Sequence, residues 1–197
     1  MSLKNVVTSA VFAVIGFVIS MVAGMATGAL GTMGMYVHSA LAALLEATVF
    51  IVLCHKTGMR GSAFIYYAIP ALVYLLMGMP PMAVIALAAA VVAELVLLGG
   101  GYDSNLRIAI SFILSSLVVA AHGYILLSWL GVQGLVDQFP GMFTPEAAQS
   151  LYDFYFEGLT ILAVMGIHLV AELIGLALGF FIDKKYFSAN KSASALD

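Results

Sequence analysis

Charge is what this chain has least of. Only 9% of its 197 residues are Asp, Glu, Lys or Arg, while 63% are hydrophobic. A soluble domain carries roughly 25% charged residues. A chain this short keeps much of its surface wet, so it cannot hide this much apolar area without lipid. Cysteine is nearly absent as well. Cys54 alone excludes an internal disulfide and a thiolate metal cluster. There is no P-loop, no HExxH zinc motif and no GxSxG nucleophile elbow. Gly99-Gly100-Gly101-Tyr102-Asp103 lacks the spacing of a dinucleotide fingerprint and follows no strand. No basic patch with interleaved aromatics points to nucleic acid. Nothing resembles a cleaved signal peptide, because the first hydrophobic run is longer than an h-region. These absences argue for binding or movement rather than covalent chemistry. No catalytic residue, cofactor or resident metal is expected.

What is present is a series of long apolar runs. A bilayer core needs about 20 apolar residues per helix. Six runs answer to that: about Val6 to Met25, Met35 to Cys54, Ser62 to Met77, Met82 to Leu98, a fifth ending near Leu130, and Phe156 to Ile182. Glycines from Gly28 to Gly34 separate the first two. Pro80 and Pro81 mark a turn before the fourth. The polar segment from Gly131 to Tyr155 precedes the last run, and Thr144-Pro145-Glu146 reads as a helix start within it. The expectation is an all-α integral membrane protein: one six-helix transmembrane domain over residues 1–187 and a short, disordered polar tail over 188–197.

The cations set an orientation. With six spans and the N-terminus inside, Lys4, Lys56, Arg60, Arg107, Lys184, Lys185 and Lys191 all fall on inner segments. These are all seven Lys and Arg of the chain. The last outer segment carries Asp137, Glu146, Asp153 and Glu157 instead. An odd helix count would break this sorting, so both termini are expected on the cytoplasmic side.

Ionisable groups inside a membrane are functional candidates by default. Glu46 lies mid-way along the second run and His168 mid-way along the sixth. Each is about 16 Å below the outer face by helical rise, close enough in depth to pair. The plain alternative is an interhelical hydrogen bond that holds the bundle. Glu94 and Glu172 sit nearer the inner ends and read as interfacial anchors or partner contacts. His38, His122, Tyr36, Tyr74, Met77, Met79, Tyr124, Trp129, Phe139 and Phe154 fall near the outer face, where an aromatic belt explains some of them. Met33, Met35, Tyr36 and His38 directly follow flexible glycines, an arrangement suited to a lid. Eleven methionines offer a surface able to shape itself to a ligand, with core filling as the competing use. The three histidines 38, 122 and 168 and Glu46 contain no helical metal-ligand pair among themselves. Ser9, Ala13, Gly16, Ser20, Gly24 and Gly28 form a small-residue ladder on the first run, for packing within the chain or docking onto another.

Ala93-Glu94-Leu95, Gly101-Tyr102-Asp103-Ser104-Asn105, the long outer segment, Gly175-Leu176-Ala177-Leu178-Gly179 and Lys184-Lys185-Tyr186-Phe187 together carry a likeness over nearly the whole chain. The sequence resembles the substrate-binding S components of energy-coupling factor (ECF) transporters, specifically the MptD-like group also called the Trep_Strep family. The resemblance implies a six-helix bundle that captures a vitamin-like small molecule from outside. It also implies a transmembrane coupling subunit and two cytoplasmic ATPase subunits as partners. Related S components dock through an AxxxA-type face on helix one. Here only Ser9 and Ala13 keep small residues at that spacing. Glu46 stands where a small or apolar residue is expected in relatives.

The expected substrate contacts are therefore Met33, Met35, Tyr36, His38, His122, Tyr124 and Tyr155, with Glu46 and His168 below them. Ser9 and Ala13 are the expected docking pair. His and Met side chains also suit a haem-like macrocycle. Two other readings remain open at this level: a membrane enzyme with Glu46 and His168 as an acid–base pair, and a self-contained channel or secondary transporter using the same groups as a proton relay.

Overall fold

The computed structural model describes residues 2–28, 30, 32–139, 141 and 143–188. The polar tail from 189 onward, Lys191 included, lies outside the described residues. All regular structure among the described residues is helical. The helices are α1 (Leu3–Gly28), α2 (Thr32–Thr57), α3 (Ser62–Leu76), α4 (Pro80–Leu97), α5 (Asn105–Ala120), α6 (His122–Gln138), α7 (Pro145–Phe156) and α8 (Thr160–Ile182). A short 3-10 turn, Gly101–Asp103, precedes α5, and a π-helical turn, Asp183–Ser188, follows α8.

Five stretches among the described residues are long and apolar enough to cross a membrane: Leu3–Gly28, Met33–Thr57, Pro80–Leu97, Asn105–Gln138 and Thr160–Phe187. The third expected run, α3, is apolar but has only 15 residues, about 22 Å of helix. The chain is a multi-pass membrane protein. Its exterior agrees: Val7, Val11, Val14, Val18 and Val22 of α1 are each more than half exposed, while Ser9, Ala13 and Gly16 face inward. This inversion, with apolar residues outside and small ones inside, is what lipid permits and water does not.

Three boundaries differ from the sequence reading. The fifth run breaks at Ala121 into α5 and α6, and α6 continues past Leu130 to Gln138 through a non-helical Gly131 (φ 66°, ψ −179°). The sixth begins at Thr160 rather than Phe156, because residues up to Phe156 belong to the separate helix α7. The glycine stretch 28–34 is mostly helix, since α1 reaches Gly28 and α2 starts at Thr32. Gly34 is there for close packing: a Cβ would overlap the Thr27 carbonyl. The lid expected from flexible glycines is thus largely helical, with residues 29 and 31 outside the described set. The turn read before the fourth run falls at Gly78 (φ 74°) and Met79, with Pro80 and Pro81 opening α4 rather than lying in the turn; the helix start at Thr144 is as read. Thr144 accepts a hydrogen bond from the Ala147 N–H at 3.2 Å, and Pro145 takes the first helical position. Glu146, in the first turn, is held below the usual carboxylate range by its backbone N–H and the Thr144 hydroxyl.

Two apolar cores result. The larger joins α1 to α5 and α8 and includes Phe50, Leu53, Tyr66, Tyr67, Leu97, Ile108, Phe112 and Leu176. The smaller joins α6 and α7 to the start of α4 through Met82, Ile85, Leu126, Leu127, Leu135, Phe139, Ala148 and Tyr155. It forms a cap over one end of the bundle.

The opposite end carries the cations. Asn5 reaches Met59, His55 bridges Asp183 at 2.7 Å and Asn105 at 3.0 Å, and Glu94 accepts from the Gly61 and Phe64 N–H groups. These contacts draw the start of α1, the α2–α3 connection, the start of α5 and the end of α8 together. Lys4, Lys56, Arg60, Arg107, Lys184 and Lys185 therefore share this end.

Candidate functional site

Between the body and the cap lies a cavity of about 160 Å³. Tyr67 of the larger core and Met82 of the smaller both line it. Helix α1 contributes Ser20, Met21 and Gly24; α2 contributes His38, Ser39, Ala42, Ala43 and Glu46. Tyr74, Ser116, Val119, Ala120, His122 and His168 complete the wall. Most of these positions lie in the half of their helix away from the cations, while Glu46 and Tyr67 sit just past mid-helix on the cationic side.

Four of the nine expected contact residues meet here: His38, Glu46, His122 and His168. The His38 and His122 rings stand edge to face at 5.4 Å. His168 Nε2 lies 2.7 Å from the Ser116 hydroxyl, while its Nδ1 is buried without a hydrogen bond. Glu46 and His168 do not bond each other. Ser20 donates to one Glu46 oxygen, and the Tyr66 hydroxyl donates to the other at 3.3 Å. Gly16 makes the second bond possible, because a Cβ there would overlap the Tyr66 hydroxyl. A second void of about 50 Å³ adjoins Glu46 on its α3 side, next to Pro70. Proline has no N–H to donate to the preceding turn, which thins the helix hydrogen bonding at this point.

The other five expected contacts sit around the cavity rather than in it. Tyr36 meets Phe154 edge to face at 4.8 Å, so α2 touches the cap helix α7. Tyr124 stacks on Phe156 at 4.7 Å, and Tyr152 stacks on the other side of Phe156 at 4.5 Å. Tyr155 is buried against Gly123, where a Cβ would stand 2.5 Å from its ring. Its burial pushes its phenol pKa upward. Met35 is half-buried, and Met33 is exposed. Ser9 and Ala13 are 0% and 1% exposed inside this chain, so they serve its own packing.

Two acidic residues read as interfacial have other roles. Glu94 caps α3: it accepts from Gly61 N–H at 2.8 Å, from Phe64 N–H at 3.3 Å and from the Tyr102 hydroxyl at 2.7 Å. Burial, reinforced by that carboxylate, pushes the Tyr102 phenol above its ordinary value, so it stays a donor. Glu172 is fully buried, its carboxyl beside the Ser116 hydroxyl but without a hydrogen bond of normal geometry. It follows His168 by four residues on the same face of α8. That i,i+4 spacing was visible in the sequence and was the signal that would have found it.

Below the cavity α2 and α8 close tightly. A Cβ on Gly175 would stand 2.6 Å from the Leu44 carbonyl oxygen, and one on Gly179 would stand 3.0 Å from the Thr48 Cα. The Gly175–Gly179 pair is a GxxxG contact of the kind that lets membrane helices touch backbone to backbone. Among the described residues no group of three His, Cys, Asp or Glu side chains is arranged to hold a metal ion.

Comparison with curated proteins and with solved structures finds no match. The model of one family, described as a hypothetical bacterial integral membrane protein (Trep_Strep), matches residues 3–189. With nearly its whole length matched, the chain belongs to the Trep_Strep family of bacterial integral membrane proteins.

Proposed function

We propose that this chain is the membrane-embedded substrate-binding component of an ECF-type importer, with six spans and both ends in the cytoplasm. It captures a small organic molecule from outside and delivers it inward with a coupling subunit and an ATPase pair. The observation that carries this reading is the cavity between body and cap, at the end away from the cations. The positive-inside rule directs the cationic end to the cytoplasm, which turns the cavity outward. The polar groups lining it suit recognition, and helices α6 and α7 over it suit a cap that admits and retains a ligand. Its volume of about 160 Å³ favours a ligand of one ring over a haem-like macrocycle. The chain carries no nucleotide motif, so energy would come from the partner subunits.

The test is purification in mild detergent from the native membrane, followed by native mass spectrometry. Association with a coupling subunit and two ATPases, together with a bound small molecule, is the expected result. A chain that neither carries a small molecule nor associates with an ATPase module is not such a component. The buried Glu172, one helical turn from His168, favours a second reading, a proton-coupled transporter acting alone. Proton-driven uptake by the isolated chain in liposomes, lost in Glu172→Gln, would establish that reading instead.

A further inference from the structure

We propose that the cavity takes a compact organic cation, a protonated amine or protonated N-heterocycle of single-ring size, with its positive group on the Glu46 carboxylate. The inference rests on the substrate-binding reading above and names the ligand class of the same site.

Charge supplies the first argument. Glu46 is the acidic residue among those lining the cavity, and no Lys or Arg among the described residues joins it there. The described cations gather at the far end, where His55 and Asp183 meet each other. A carboxylate at membrane depth is costly without a counter-charge. Among the described residues no Lys or Arg lines the cavity to supply one, and a cationic ligand does. An anion entering the same space would meet Glu46 with nothing to offset the repulsion.

Hydrogen-bonding capacity supplies the second. An ionised carboxylate has about four acceptor positions. Ser20 and Tyr66 occupy one on each oxygen, which orients the group and leaves acceptor positions for an ammonium. Two turns along α2 from Glu46 the Ser39 hydroxyl is buried without a partner, and so is His168 Nδ1 on α8. Unsatisfied buried polar atoms are uncommon and call for an explanation. A second polar group on the ligand would satisfy them.

Shape supplies the third. A cavity of about 160 Å³ is close to the ~150 Å³ of an engineered apolar cavity that holds benzene. Tyr67 and Tyr74 present aromatic rings to it, a surface that attracts cations. Met21 and Met82 fill the remaining wall with side chains that adapt to ligand shape.

The experiment uses the full chain in mild detergent and three isosteric probes: benzylamine, protonated at neutral pH; benzyl alcohol, neutral; and benzoate, anionic. Calorimetric titration and thermal unfolding are read for each. Benzylamine is expected to bind about tenfold or more tightly than benzyl alcohol, the effect of one charge-assisted hydrogen bond. Benzoate is expected not to bind. Glu46→Gln is expected to erase the preference, bringing benzylamine down to the affinity of benzyl alcohol for the same variant. Should that variant fail to fold, the wild-type series still decides, and Ser20→Ala, which keeps the carboxylate, is expected to retain the same order. Equal affinity for amine and alcohol, a preference for benzoate, or no response to any of the three overturns the proposal. Failure of the importer reading looks different: cation preference is then present while no coupling subunit or ATPase ever co-purifies. An ATPase module that co-purifies with a chain indifferent to ligand charge leaves the importer reading standing and removes the cation.

Discussion

The two ends of this bundle treat polar groups in opposite ways. At the cationic end most are paired, the buried Ser62 hydroxyl being an exception. Glu94 caps α3 and holds Tyr102, and His55 bridges Asp183 and Asn105. The Arg107 guanidinium reaches the Val96, Leu98 and Gly99 carbonyls that end α4. Just above, Gly175 and Gly179 bring α8 against the α2 backbone. At the other end the same two helices part around a cavity, and Ser39 and His168 keep polar atoms unpartnered. Hydrogen bonds at helix ends stabilise a fold, whereas polar atoms left open near a cavity are available to a ligand. One end is built to hold the bundle, and the other is built to be filled.

That contrast can be broken by experiment. The largest effect is expected at the helix contact: Gly175→Val forces α2 and α8 apart and costs about 2–3 kcal/mol or the fold itself, read as loss of monodisperse protein or a sharp drop in unfolding temperature. Next comes Glu94→Ala, which strips three donors of their acceptor. It is expected to lower stability by about 1–3 kcal/mol while leaving ligand affinity intact. Ligand affinity lost in a folded Glu94→Ala protein would mean that the two ends are not separate. Gly123→Ala pushes Tyr155 out of its seat against α6. It is expected to cost about 1 kcal/mol of stability and to weaken ligand retention several-fold, seen as faster dissociation. The smallest effect is expected at Met33, exposed beside the cap. Met33→Ala should shift stability by no more than about 0.5 kcal/mol, and a marked loss of binding there would draw the site outward to the surface contacts first expected.

The element pattern was legible because each run is long, apolar and bounded by glycine, proline or charge. Thr144 and Pro145 announced α7 by their capping chemistry alone. The cations sorted themselves to one end through alternation of antiparallel helices, which needs no knowledge of packing. The break at Ala121 carried only the weak signal of His122 and Gly123: the residues on either side, Val118 to Ala120 and Tyr124 to Leu127, are as apolar as a continuous span. Of the candidate contacts, His38, Glu46, His122 and His168 could be picked because polar groups stand out in an apolar run. The surrounding aromatics could not be sorted, since a belt residue and a cavity residue look alike in sequence.

The sequence by itself determined the solvent, the helices and the end that holds the positive charge, because hydropathy, length and alternation act locally. Only the tertiary structure decided which way each helix faces. A helix apolar all round has almost no periodic signal to orient it. Rotation is then set by where backbones can touch, at Gly16, Gly175 and Gly179. Those contacts turned Ser9 and Ala13 inward, buried Glu172 instead of leaving it at an interface, and set Glu46 on the wall of a cavity rather than against His168.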